Sequence, residues 1–305
     1  FNKNNYKPKK KALLIGVNYY NTRNALKGCI NDVNNISNFL VKHYNFKYQD
    51  MVILTDNNSN LMNIPIKSNI LRAMNWLVKD AQPNDSLFFH FSGHGGRTPD
   101  LDGDEEDGFG QCIYPLDFKR NGHIADNQMH KIMVKPLKQG VKLTAIFDCC
   151  HSGTALNLPY VYSSKGLVKH KNLLKDTTVN SIGLISNASN GDFNGAYKNA
   201  SYVCKRIANN KSKLQKEQII KMKSSLADVI SFSGCKDDEK SVDTSFNGVS
   251  IGAMSYALIS VLSASPQQSY ISLLISMRYY LKDHFQQKPQ LSSSHPINVQ
   301  HQFTI

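Results

Sequence analysis

The chain is predicted to be an α/β protein, a single three-layer domain in which a mostly parallel β-sheet is sandwiched by helices. Three observations carry this. Short apolar runs alternate with segments of helical period. Several of those runs are apolar throughout, as strands covered on both faces are. A length of 305 residues, 41% hydrophobic and 10% aromatic, is enough for one large core.

The elements follow in order. "KKALLIGV" (Lys10–Val17) reads as a first buried strand, and "DMVILTD" (Asp50–Asp56) as a second. Between them, "NDVNNISNFLVKHY" (Asn31–Tyr44) places Val33, Ile36, Leu40 and Val41 on one helical face. "SNILRAMNWLVKDA" (Ser68–Ala81) reads as a second helix with Ser68 as its N-cap. "SLFFHFSG" (Ser86–Gly93) and "VKLTAIFD" (Val141–Asp148) are further strands, and "DNQMHKIMVKPL" (Asp126–Leu137) is the helix between them, with Asp126 as candidate cap. From Pro159 to Ser225 the pattern dissolves into Lys, Asn and Ser. Order returns with the strand "ADVISFSG", the helices Gly252–Leu262 and Ser269–Phe285, and "QLSSSHP" as a closing edge. The expected organisation is a basic tail over 1–11, a first sheet-forming part over 12–160, a flexible basic connector over 161–225, and a second part over 226–305 that completes the same domain.

The net charge of +13 is unevenly placed. Residues 1–11 hold five lysines and no acid, and residues 161–225 hold twelve Lys or Arg against three acids. The remainder is close to neutral, so the basicity belongs to a tail and a solvated segment rather than to a groove for phosphates. Nucleic acid is disfavoured as a partner. No run is long enough to cross a bilayer, which gives no membrane partner. "FNKNNYKPKKK" reads as a start within a linker, not as a signal peptide. Six cysteines without a CxxC pair exclude a disulfide framework and a zinc ribbon, and point to a reducing compartment, the cytosol.

Two strands end in similar phrases, "HFSGHGG" and "FDCCHSG". Side chains at i and i+2 share a strand face, and ligands of open parallel sheets bind beyond the strands' carboxyl ends. Neighbouring strands would therefore gather Ser92, His94, Asp148 and Cys150 in one cleft, with Cys149 turned into the packed interior. A Cys with a His in reach is a nucleophile and its proton carrier. Backbone N–H groups of Gly95 and Cys150 are candidate oxyanion donors. His151 reads as support for the turn, and His90 and Cys112 as packing residues.

These phrases, with "LKGCINDV", "IYPLDF", "IMVKPL", "FSGCKDDEKSVD", "GAMSYA" and "KPQLSSSHP", resemble a fungal type I metacaspase, a caspase-like member of the caspase-haemoglobinase group. The His94-to-Cys150 separation of 56 residues is near the offset of about 50 found in caspases. The resemblance implies a caspase-like sheet divided into large- and small-subunit-like parts, and a cysteine endopeptidase cutting after Arg or Lys. His94 and Cys150 would be its dyad, and Asp32, Ser92 and Asp148 would hold the basic side chain. Carboxylates suit a guanidinium or ammonium entering a cleft. Asp32 has a second reading as a helix cap. The resemblance also implies a monomer in the cytoplasm and nucleus, acting on protein or peptide substrates in stress-linked cell death or protein quality control.

The chemistry needs no cofactor, but the resemblance implies calcium as an activator. The acidic positions expected for it fall at Gly110, Asp126, Asn127 and Asn157, so one carboxylate remains. "DLDGDEEDG" lacks the Gly and Glu of an EF-hand loop. Exposed lysines in "IIKMKSSLADV" give Lys221 and Lys223 as self-cleavage sites in a flexible loop. The alternative function is a catalytically weak scaffold or chaperone-like protein on the same fold.

Overall fold

The computed structural model describes residues 6–99, 109–149, 156–168, 213–235, 244–246, 249–282 and 288–305. In chain order the elements are β1 (Lys10–Gly16), α1 (Cys29–Tyr44), β2 (Met51–Thr55), α2 (Lys67–Val78), β3 (Ser86–Ser92), β4 (Gly95–Pro99), β5 (Phe109–Ile113), α3 (Phe118–Asn121), β6 (Ile124–Ala125) and α4 (Asp126–Met133). They continue with β7 (Lys142–Asp148), β8 (Tyr160–Tyr162), α5 (Lys213–Lys223), β9 (Asp228–Cys235), β10 (Thr244–Phe246), β11 (Val249–Ile251), α6 (Ala253–Ala264), α7 (Tyr270–Lys282) and β12 (Lys288–Ser293).

Seven strands form the central sheet in the order β2-β1-β3-β7-β9-β12-β8. The first five are mutually parallel. β12 runs antiparallel to β9, and β8 antiparallel to β12. This sheet and its flanking helices form one compact unit, while the described segments 97–99, 109–110 and 213–222 belong to a second. Within that second unit the Arg97 guanidinium stands 4.9 Å from the Phe109 ring centroid.

Strand alternation sorts the core into two layers. Leu13, Ile15, Leu87, Phe89, Phe91, Leu143, Ala145 and Phe147 pack with Ile70, Met74 and Leu77 of α2 and Met129 and Met133 of α4. The intervening residues, among them Leu14, Phe88, Ile146 and Phe232, pack with Val33, Ile36 and Leu40 of α1, Leu258 of α6 and Leu274 and Met277 of α7. Strands buried on both faces have no polar side to show, which is why their sequences are apolar without interruption.

Helix starts depart from the sequence expectation. Ser68 lies inside α2, and its N-cap, Ile66, makes no side-chain cap bond. Asp117 serves instead, accepting the Lys67 N–H at 2.8 Å from fifty residues away. A local cap rule cannot see such a partner. α1 starts two residues earlier than its apolar period, because Asn18 Oδ1 accepts the Cys29 N–H at 3.0 Å. Asp126 is the first residue of α4 rather than its cap, which is Ala125. Finally, β12 is not an edge: the three-residue β8, too short to read as a strand in a polar segment, pairs outside it.

Candidate active site

Ser92 and Asp148 come together, as strand period predicts, and Asp32 joins them, as the family resemblance implies. Ser92 and Asp148 are register partners at the ends of β3 and β7. The Ser92 hydroxyl donates to Asp32 Oδ2 at 2.6 Å across the space between sheet and α1. All three are buried, with exposures of 2%, 2% and 7% for Asp32, Ser92 and Asp148. The cap reading of Asp32 falls, since Gly28 is the N-cap of α1 and Asp32 lies beyond it in the first turn.

A fourth member, Gly252, was not foreseen. Its N–H donates to Asp32 Oδ1 at 2.7 Å. A methyl group on its Cα would overlap Asp148 Oδ2 and stand 2.5 Å from Asp32 Oδ2, so only glycine fits between the two acids. Gly252 is also the N-cap of α6. Asp148 sits at that helix start, where its Oδ2 accepts the Ser255 N–H at 2.8 Å. Burial pushes its carboxyl above the usual carboxylate range, while donors from Ser255 and from the Met254 backbone pull it back. The positive end of the helix dipole also favours the anion. The only sequence hint of Gly252 was its place before an apolar helix in "GAMSYA".

His94 lies beyond the end of β3 and belongs to a different set of contacts. Its Nε2 is 2.7 Å from the Asn24 carbonyl. A carbonyl only accepts, so Nε2 carries the proton in this bond and the neutral ring leaves Nδ1 bare. The ring packs on Tyr19, centroids 4.7 Å apart. The Tyr19 hydroxyl accepts the His94 N–H at 3.1 Å and donates to the Tyr114 carbonyl at 2.5 Å. Tyr19 itself has φ 51, a left-handed conformation. Asp56 holds the loop leading to Asn24 by accepting the N–H groups of Asn18 and Tyr20 at 3.0 and 3.4 Å. Asn24 and Tyr19 were missed because a backbone carbonyl and a lone tyrosine carry no motif.

Cys149 is 3% exposed and packs in the layer beneath α2 and α4, as the alternation predicts. Cys29, Cys112 and Cys149 are buried and form no disulfide, and burial pushes the Cys112 thiol up to about 11. Gly95 opens β4. Cys150 and His151 lie outside the described residues.

The residues aligned with a calcium site do not fit the ion. Asp126 is buried, and its two oxygens accept the N–H groups of Gln111 (2.8 Å) and Asn127 (2.7 Å). The Asn127 amide oxygen accepts from the Asn157 amide. Gly110 offers no side chain. One carboxylate already used by backbone donors, with an amide pair bonded to itself, is a poor start towards the six to eight oxygens that calcium takes.

Lys221 and Lys223 are on the last turn of α5, not in a loop. The connector's charge hid this helix, whose face carries little apolar periodicity. The Lys223 carbonyl accepts from His130 Nε2 at 2.9 Å.

A model of the metacaspase peptidase C14 domain matches residues 10–159. Metacaspase-1 of Debaryomyces hansenii is 55% identical over 305 residues, which cover 100% of this chain and 69% of that protein. Metacaspase-1 of Emericella nidulans is 54% identical over 291 residues, 95% of this chain and 72% of that protein. A crystal structure of a Geobacter sulfurreducens protein superposes with TM-score 0.57 at 18% identity, covering 97% of this chain and 98% of that one, which bears on the fold alone. The chain belongs to the metacaspase family, in its fungal type I branch. It is a caspase-like cysteine endopeptidase, and that chemistry requires no cofactor. Among the described residues, no helix is long and apolar enough to cross a membrane.

Proposed function

We propose that this peptidase cleaves after Arg or Lys, with Cys150 as nucleophile and His94 as proton carrier. The convergence of Asp32, Ser92 and Asp148 around Gly252 carries the reading. Two buried carboxylates on either side of one glycine present negative charge that a guanidinium or ammonium can neutralise, in a fork suited to Arg. His94 Nδ1 takes the proton of the Cys150 thiol, the thiolate attacks the carbonyl carbon, and the N–H groups of Gly95 and Cys150 donate to the oxyanion. The carbon–nitrogen bond breaks, and His94 passes a proton to the leaving amine. Water, deprotonated by His94, then hydrolyses the thioester and regenerates the thiol. The Asn24 carbonyl fixes the ring so that Nδ1 handles these protons.

Reporter peptides ending in Arg, Lys, Asp and Leu test the specificity. Turnover of the Arg and Lys reporters at least about a hundredfold above the other two supports the pocket assignment. Comparable turnover of the Asp reporter overturns it.

The same specificity makes Lys221 and Lys223 self-cleavage sites. Proteases bind extended chain, so the last turn of α5 must unwind first, releasing the Lys223 carbonyl from His130. Identical fragments from wild-type and Cys150→Ala protein would exclude self-processing. The large- and small-subunit-like parts at 12–160 and 226–305, monomeric action in cytoplasm and nucleus, and a part in stress-linked cell death or protein quality control complete this reading, supported by family membership.

A further inference from the structure

We propose that His90 and Ser255 form a buried relay that orients Asp148 and so sets the preference for a basic side chain, making both positioning residues for the pocket. This rests on the reading of Asp148 as a pocket acid.

His90 is on β3, two residues before Ser92 and on the same strand face. It is 0% exposed, in a layer otherwise made of Leu14, Phe88 and Ile146. A histidine in such a place costs desolvation and needs a reason. Its Nε2 lies 2.8 Å from the Ser255 hydroxyl. Ser255, on the first turn of α6, is 1% exposed, donates its N–H to Asp148 Oδ2 at 2.8 Å, and has a hydroxyl near enough to favour the ionised carboxyl. A serine hydroxyl has one proton. If that proton goes to the carboxylate, the oxygen must accept from His90, so Nε2 carries the imidazole hydrogen. The tautomer then leaves Nδ1 as a bare lone pair, and Nδ1 is the ring atom with no partner among the described residues. A buried bare acceptor is easier to tolerate than a buried orphan N–H. The direction follows: His90 donates to the Ser255 hydroxyl, whose own proton is then turned towards Asp148.

The relay does two things. It fixes the Asp148 carboxylate against rotation, because Ser255 holds it through its N–H while His90 holds the rotor of the neighbouring hydroxyl. It also adds a donor that strengthens the ionised form inside an apolar layer. The ionisable groups around Asp148 are Asp32 on α1, bridged to it through Gly252, and His90 on β3. The α6 start contributes neutral N–H donors. Burial drives the His90 imidazole down to about 3, so it stays neutral through the working range and acts as a dipole.

The test compares reporters ending in Arg and in citrulline, the neutral isostere of Arg, for wild type, Asp148→Asn, Ser255→Ala, His90→Leu and His90→Gln. Ser255→Ala and His90→Leu should lower kcat/KM for Arg by about tenfold, mostly through KM, with citrulline within about twofold. The acid limb of the Arg profile should move to higher pH, because the carboxylate has lost a donor. His90→Gln, which returns an N–H where Nε2 stood, should restore most of the preference. Equal losses on both reporters with an unmoved acid limb would show Ser255 and His90 to be packing only and overturn the relay. If Asp148→Asn leaves the Arg-to-citrulline ratio unchanged, the pocket reading itself fails. Ser255→Ala is small enough to keep the test alive should His90→Leu not fold, with the thermal midpoint as the check.

Discussion

The Gly252 N–H donates to Asp32 Oδ1 at 2.7 Å, and its Cα stands where any side chain would run into Asp148 as well. One backbone unit thus spaces two buried carboxylates that come from well-separated parts of the sequence. Gly252→Ala must either push the acids apart or move the start of α6. We expect kcat/KM for an Arg reporter to fall by about a hundredfold or more, since two charge-assisted bonds are disturbed together. Retention of full activity at an unchanged thermal midpoint would mean the pocket is elsewhere.

The Tyr19 hydroxyl joins the His94 N–H to the Tyr114 carbonyl. Tyr19→Phe keeps the ring beneath the imidazole but leaves both backbone groups short of a partner. The expected result is a kcat lower by about tenfold with KM within about twofold, measured by steady-state kinetics on an Arg reporter. A change confined to KM would place Tyr19 in substrate binding instead.

His90 gives stability a pH dependence of known sign. Burial holds its folded pKa at about 3 against 6.5 for a free imidazole. Between those values the unfolded chain binds a proton that the folded chain does not. Its contribution is therefore fully present above 6.5 and is lost as pH falls towards 3. From pH 7 to pH 5 this amounts to about 2 kcal/mol. Urea unfolding at the two pH values should show that loss in the wild type and its absence in His90→Gln. Equal slopes for both proteins would count against a buried neutral imidazole.

Calcium should bind weakly at best. Titration calorimetry on the intact chain should show no site tighter than about 100 μM, and chelator should leave the thermal midpoint within about 1 °C. A micromolar site abolished by Asp126→Ala would contradict the donor-set argument.

Much of the sheet was legible because β1, β3 and β7 are buried on both faces and so are apolar without a break. The meeting of Asp32, Ser92 and Asp148 was legible through strand period and family resemblance together: Asp148 and Ser92 sit at the ends of adjacent strands. What escaped was non-local. Asp117 caps α2 and Asn18 caps α1 from other segments, and the Asn24 carbonyl meets His94 from 70 residues away. His90 looked like packing because it lies in an apolar run. Its partner, Ser255, comes 165 residues later. Side-chain period tells which face a residue takes, but not which distant polar group shares that face.

Activity of Cys149→Ala and Cys150→Ala on an Arg reporter tests the central claim most directly. Cys149 is packed beneath α2 and α4, so its replacement should leave turnover within about threefold while lowering stability by about 1 kcal/mol. Cys150→Ala should reduce turnover to less than about one thousandth. Survival of activity in Cys150→Ala with its loss in Cys149→Ala would contradict the assignment of nucleophile and core.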